Sequence, residues 1–268
     1  MPLSKVLCLT VTAFLVSACP LRGEDKVYPR AEHPRRQLYV GETLTADIHY
    51  FKMPLGRAVS SVKEIVTLGD RQAYHIVLKV RSSRFVDWIY KVRDEHHSYV
   101  DVETLTTLKY EKNLEEGHVG SQEKMIRDFN GGHVTFENLK THEKTVLEVP
   151  EDIQDPLSCG YWFRTISVAP EDEISIPVVT QNKKWRMNVK TYKVETLCLD
   201  DLGEFQAMEV EPAMDFAGIF VRKGKIRGWM SMDERRIPLR MKVKIPIFGN
   251  VVAEVVEYKS GEDNDQEV

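Results

Sequence analysis

An all-β domain of mainly antiparallel strands, curved into a barrel, half-barrel or sandwich with one short helix packed on the sheet, is predicted by three features. Runs of alternating apolar and polar residues recur from residue 38 to residue 258, and a period of two marks strands with one buried face. Turn residues separate these runs, among them Gly69-Asp70, Asn130-Gly131-Gly132, Gly203, Gly224 and Gly249. No strand-helix-strand alternation is visible, so crossover helices and a parallel sheet are not expected. The third feature is a lone segment of helical spacing from Asp155 to Ser167.

In chain order, Lys5 is followed by the apolar run Val6 to Leu15 and then by Val16-Ser17-Ala18-Cys19. This is the layout of a secretory signal, and it is too short to span a bilayer, which takes roughly 20 apolar residues. Val16 to Cys19 also resemble the lipobox of bacterial lipoproteins, in which cleavage precedes a cysteine that carries the lipid. Ordinary cleavage after small residues is the alternative. Residues 1–18 are thus read as a lipoprotein-type signal peptide, Cys19 as the lipid attachment and 19–37, broken by Pro20, Pro29 and Pro34, as anchor and flexible tether. A single β domain is expected over 38–259 and a disordered acidic tail over 260–268.

Leu44, Ala46, Ile48 and Tyr50 alternate with polar residues, and Met53 to Gly56 is read as the following turn. A long strand runs through Val59, Val62 and Val66. The next one points Tyr74, Ile76, Leu78 and Val80 inward, with His75 and Lys79 outward. After a break containing Phe85 and Trp88, alternation resumes at Tyr90 and Val92, then at Leu108 and Tyr110. Asn130-Gly131-Gly132 suits a type I′ hairpin, whose centre needs positive φ, and Val134 and Phe136 start the return strand. Further strands are expected at Val146 to Val149, Ile174 to Val179, Trp185 to Val189, Phe205 to Val210, Ile219 to Arg222, Ile226 to Met232, Leu239 to Ile247 and Val251 to Tyr258.

In the helix, Asp155 can cap the first free N–H groups and Pro156 suits the first helical position. Cys159, Trp162, Phe163 and Ile166 fall on one face. That face is expected to plug the space between two groups of strands.

An apolar content of 42% and a formal charge of −4 are ordinary for a globular protein. They offer no basic surface to displace counterions from phosphates, so no nucleic-acid partner is expected. His49, His75, His96, His97, His118, His133 and His142 match no compact zinc-ligand spacing, and no metal or cofactor is expected. Asp94 and His96 would share a strand face. Ser158 lacks the setting of a nucleophile elbow, His142-Glu143 lacks the second histidine of a zinc-protease helix, and no glycine-rich phosphate loop occurs. An enzyme is therefore not expected, and no catalytic residue is assigned. Cys159 and Cys198 are candidates for a disulfide, with two buried free thiols as the alternative. Arg240, Lys242 and Lys244 lie on one face of a strand whose other face is apolar. They are candidate contacts for the head of an anionic amphiphile, or else a solvated face that discourages edge pairing.

Three segments together resemble a known family. Gly41-Glu42-Thr43-Leu44 through Met53-Pro54-Leu55-Gly56, Asp155-Pro156-Leu157-Ser158 through Tyr161 to Arg164, and Trp229 to Pro238 with Phe248-Gly249 resemble the bacterial domain of unknown function 3108 family over about residues 38 to 258. The resemblance implies an exported, mostly β envelope protein with no established activity. It carries over no catalytic residues and does not require a lipobox. The expected function is a non-enzymatic, lipid-anchored protein of the bacterial periplasm or outer membrane that binds or chaperones a lipid or lipoprotein. A β scaffold for another envelope protein and a hydrolase of an envelope polymer are the alternatives. The expected partners are the membrane, through the anchor, and a lipid or envelope protein.

Overall fold

The computed structural model describes residues 37–117, 119–128, 132–213, 226–245 and 249–261. The signal, Cys19, nearly all of the tether, Asn130-Gly131, the strand expected at Ile219 to Arg222, the end of the strand expected to reach Ile247, Phe248 of the family motif and most of the acidic tail lie outside them.

The all-β expectation holds. The chain forms β1 (Thr43–Tyr50), β2 (Met53–Leu68), β3 (Arg71–Ser82), a four-residue helix α1 (Arg84–Asp87), β4 (Val92–Asp101), β5 (Thr107–Glu116), β6 (Val119–Asp128), β7 (His133–Asn138) and β8 (Lys144–Glu148). After the helix α2 (Ser158–Thr165) come β9 (Glu173–Thr180), β10 (Lys183–Leu199), β11 (Gly203–Ala213), β12 (Ile226–Ser231), β13 (Pro238–Ile245) and β14 (Gly249–Lys259). One sheet of 14 strands holds them all, in the order β8 to β1 and then β14 to β9. Every described neighbour pair is antiparallel, and β1 pairing with β14 joins the two halves.

The sheet is curved but not closed. Each strand adds its right-handed twist, and bulges bend the sheet further; register shifts occur at Ile48/His49, Val62/Glu64, Tyr99/Val100 and Thr191/Val194. The edges β8 and β9 are consecutive in sequence, so the segment between them must link opposite edges of the sheet. Gln154 makes a parallel bridge to Val178 of β9, and the Thr107 N–H donates to the Ile153 carbonyl at 3.1 Å. That segment carries α2.

Two boundaries differ from expectation. The turn after β1 is Phe51-Lys52, not Met53 to Gly56: Phe51 takes φ +52°, and Met53 already pairs with Tyr50. Helix α2 begins at Ser158, because Pro156 and Leu157 form a turn around the Asp155 side chain before helical bonding starts.

Burial follows the predicted alternation on β3, where Tyr74, Ile76, Leu78 and Val80 are all at most 2% exposed. Cys159, Phe163, Trp162 and Ile166 pack as one face against Ile176, Met187, Val189, Met208 and Val210 of β9–β11. Leu157, just before α2, and Tyr161, on its other flank, join the core built chiefly on β2–β7. The helix therefore has two buried flanks, where the sequence pattern shows one.

Candidate functional site

Between α2 and the sheet lies a cavity of about 200 Å³, partly open to solvent. It sits where three apolar clusters meet. Ala58, Leu78, Leu157, Tyr161 and Ala253 come from the first, Leu44, Ala46, Trp229 and Val255 from the second, and Cys159, Phe163, Met187 and Val210 from the third. Small residues on facing strands, Ala46 opposite Ala58 on one side and Val255 on the other, leave the space that larger side chains would fill. Polar groups at the wall are few and already engaged. The Ser60 hydroxyl and the Tyr161 phenol share a hydrogen bond of 2.8 Å.

A second wall group, Arg164, forms a fork with Glu42 at 2.7 and 2.6 Å; the two side chains are 7% and 2% exposed. Its guanidinium also donates to the Arg235 carbonyl at 2.9 Å, and Tyr258 donates to Glu42 at 3.3 Å. Burial works against the Arg164 charge, but the hydrogen bonds and charge of Glu42 outweigh it, so its pKa is raised. This clamp ties the last turn of α2 to the entrance of β1, the β12–β13 turn and the end of β14.

The start of α2 is held by a second buried network. Asp155 is fully buried, and its carboxylate accepts hydrogen bonds from the Leu157 and Ser158 N–H groups at 2.7 and 2.9 Å, which is the cap the sequence predicts. It also accepts from Ser98 at 2.5 Å and Thr107 at 2.8 Å. Burial raises its pKa, and these four donors oppose the shift. Ser158 thus serves the cap, with its hydroxyl 2.8 Å from that of Thr107.

Asp94 and His96 do share a face of β4, and that face is buried. His96 contacts the Tyr110 phenol at 2.7 Å, and burial lowers its pKa to about 3, so it is neutral. Asp94 is 2% exposed; one oxygen accepts from the Glu115 N–H at 3.2 Å, and the other has no hydrogen-bond partner among the described residues. Burial, followed by the charge of Glu116, raises its pKa to about 7. The folded state therefore keeps a proton that the unfolded chain, with a pKa near 3.8, gives up. Stability from this group is present below about pH 4 and is lost as pH rises through about 7. Asp94→Asn is expected to remove this slope, read as unfolding free energy in urea at pH 4.5 and 7.5. An unchanged slope would sink the assignment.

The two candidate disulfide cysteines are free thiols. Cys159 is buried on α2, where its thiol reaches the Pro156 carbonyl and burial pushes its pKa up to about 12. Cys198 is exposed beside Glu204, so the reading of two buried thiols is also corrected. Of the candidate head-group cations, Arg240 borders the cavity, paired to Glu254 and donating to the Cys198 carbonyl at 3.2 Å. Lys242 and Lys244 do not line it. Sequence reasoning missed the Glu42–Arg164 fork, whose partners are 122 positions apart. The period-two run Val92, Asp94, His96, Ser98, Val100 did carry a signal for the buried polar face of β4.

Residues 45–256 match the sequence family described as protein of unknown function DUF3108. The chain belongs to the DUF3108 family. No curated protein matches this DUF3108 chain. Among solved structures, a β-barrel-like protein of domain of unknown function DUF1849 from Brucella abortus is similar at a TM-score of 0.55 and 9% identity, covering 84% of this chain and 100% of its own. That likeness shows a shared β-barrel-like fold. A predicted exported protein with a YmcC-like fold from Bacteroides fragilis aligns at 0.33 and 10% identity, covering 84% of this chain and 98% of its own. A predicted lipoprotein from Parabacteroides distasonis aligns at 0.33 and 11% identity, covering 83% and 97%.

Proposed function

We propose that this DUF3108 chain is a non-enzymatic, lipid-anchored protein of the bacterial envelope that holds an amphiphile by an acyl chain. The observation that supports this reading is the cavity of about 200 Å³ between α2 and the sheet, walled almost wholly by aliphatic, aromatic and sulfur side chains. An apolar cavity favours an apolar guest over water, which needs polar partners. A water molecule takes about 30 Å³ of the liquid, close to the volume of a methylene group, so the space holds about seven such groups. That is one segment of a single acyl chain.

Seven methylenes at about 0.8 kcal/mol each give on the order of 5–6 kcal/mol, equivalent to a dissociation constant of roughly 0.1 mM before any head-group contact. Arg240, at the edge of the cavity and paired there to Glu254, is the candidate contact for an anionic head. The anchor at Cys19 and the envelope location rest on the signal-like N-terminus, not on the domain.

The test is titration of the full chain with a fluorescent single-chain fatty acid, together with mass spectrometry of lipids that co-purify from the native envelope. Saturable binding is expected, and Ala253→Phe, which fills the cavity, should abolish it while a cooperative thermal melt is retained. Absence of both binding up to about 1 mM and any co-purifying aliphatic molecule would overturn the reading.

A further inference from the structure

The β1–β2 turn and the β3–β4 connection lie at the same end of the sheet, because β2 and β3 are antiparallel and Gly56 pairs with Ser82. The Ser83 N–H donates to the Leu55 carbonyl at 2.8 Å and its hydroxyl to the Pro54 carbonyl at 2.9 Å, which fixes the connection against the start of β2. Val86 is buried, and Asp87 is ion-paired to Arg93. The segment is therefore tied down, yet its large apolar side chains face solvent. Trp88 is 90% exposed, Phe85 60% and Ile89 52%, with Phe51 at 76% in the adjoining turn. Single exposed apolar residues need no explanation, but four large ones gathered on neighbouring strand ends do.

The charges left over around them are cationic. Of the carboxylates at these strand ends, Asp47, Asp87 and Glu115 are paired with Arg57, Arg93 and Lys91, and Glu116 is engaged as well. Lys52, Arg81 and Arg84 are exposed and have no ion pair among the described residues. An aromatic tip ringed by uncompensated cations matches a lipid interface, where Trp sits at headgroup level and Lys and Arg meet anionic lipid.

We propose that this end of the domain docks on the surface of an anionic phospholipid bilayer, with Trp88, Phe85, Ile89 and Phe51 in the interface and Lys52, Arg81 and Arg84 against headgroup phosphates. The contact is separate from the anchor at Cys19 and independent of what the cavity holds. The full-length exported chain carrying Cys19→Ser isolates it from acylation.

That protein is expected to co-sediment with vesicles of phosphatidylglycerol and phosphatidylcholine but weakly with phosphatidylcholine alone, with a blue shift of tryptophan emission. Trp88→Ser with Phe85→Ser should weaken partitioning about tenfold or more, with an unchanged thermal melt because both side chains are exposed. Replacing Lys52, Arg81 and Arg84 by Gln should remove the preference for phosphatidylglycerol and its sensitivity to salt. Failure of the Cys19→Ser protein to bind phosphatidylglycerol vesicles at low ionic strength, or equal binding by the Trp88/Phe85 variant, would overturn the proposal. So would a dimer that Trp88→Ser dissociates in the absence of vesicle binding, which would assign the patch to self-association.

Discussion

Arg164→Ala is expected to lower the unfolding free energy by about 3–5 kcal/mol, the cost of leaving one buried charge without its partner. The partner is Glu42, a residue 1% exposed overall, whose carboxylate would keep only the 3.3 Å contact from Tyr258 among its described hydrogen bonds. Against a typical stability of about 5–15 kcal/mol this is a large share. The loss also reaches beyond the pair, since Arg164 donates to the Arg235 carbonyl and so joins α2 to the β12–β13 turn. Urea denaturation at neutral pH measures it. The double variant Glu42→Gln with Arg164→Met should recover part of the loss, because it removes both charges together. A single-variant loss below about 1 kcal/mol would mean that the pair behaves like a surface ion pair, and the clamp would then be misassigned.

Phe163→Ala is the second large effect, expected to cost about 3–5 kcal/mol. Phe163 is 5% exposed and packs with Ile176, Met187 and Met208, while the neighbouring Trp162 is only partly buried against the same cluster. Sequence spacing puts the two aromatics on one face without ranking them; the structure ranks Phe163 first. Thermal melts of Phe163→Ala and Trp162→Ala should separate in that order, and the reverse order would contradict the packing of α2. Phe163 also lines the cavity. Its truncation should therefore enlarge the space and shift preference towards longer acyl chains in the same fluorescence titration, even as the protein loses stability.

The local features of this chain were legible because each depends on residues close in sequence. The alternation through β3, the cap made by Asp155 and the shared face of Cys159, Trp162, Phe163 and Ile166 all follow from periods of two or 3.6 and from hydrogen bonds within a few positions. Reading Met53 to Gly56 as a turn failed because proline and glycine are turn formers by habit, while the left-handed φ was taken up by Phe51. His96 is buried because β3 and β5 flank its strand and Tyr110 meets its ring.

The sequence by itself determined that this is an antiparallel β protein with a helix after Asp155, though it read the four-residue α1 only as a break between strands, and its spaced motifs pointed to the DUF3108 family. Those properties are written in short-range periodicity and in the order of motifs. Only the tertiary structure decided that the strands form one open sheet, because joining β1 to β14 pairs segments about 200 residues apart. It alone decided that the two cysteines stay apart, that Arg164 finds Glu42, and that a cavity remains beside α2. Pairing partners, buried charges and empty volume depend on which distant side chains meet, and no local pattern carries that information.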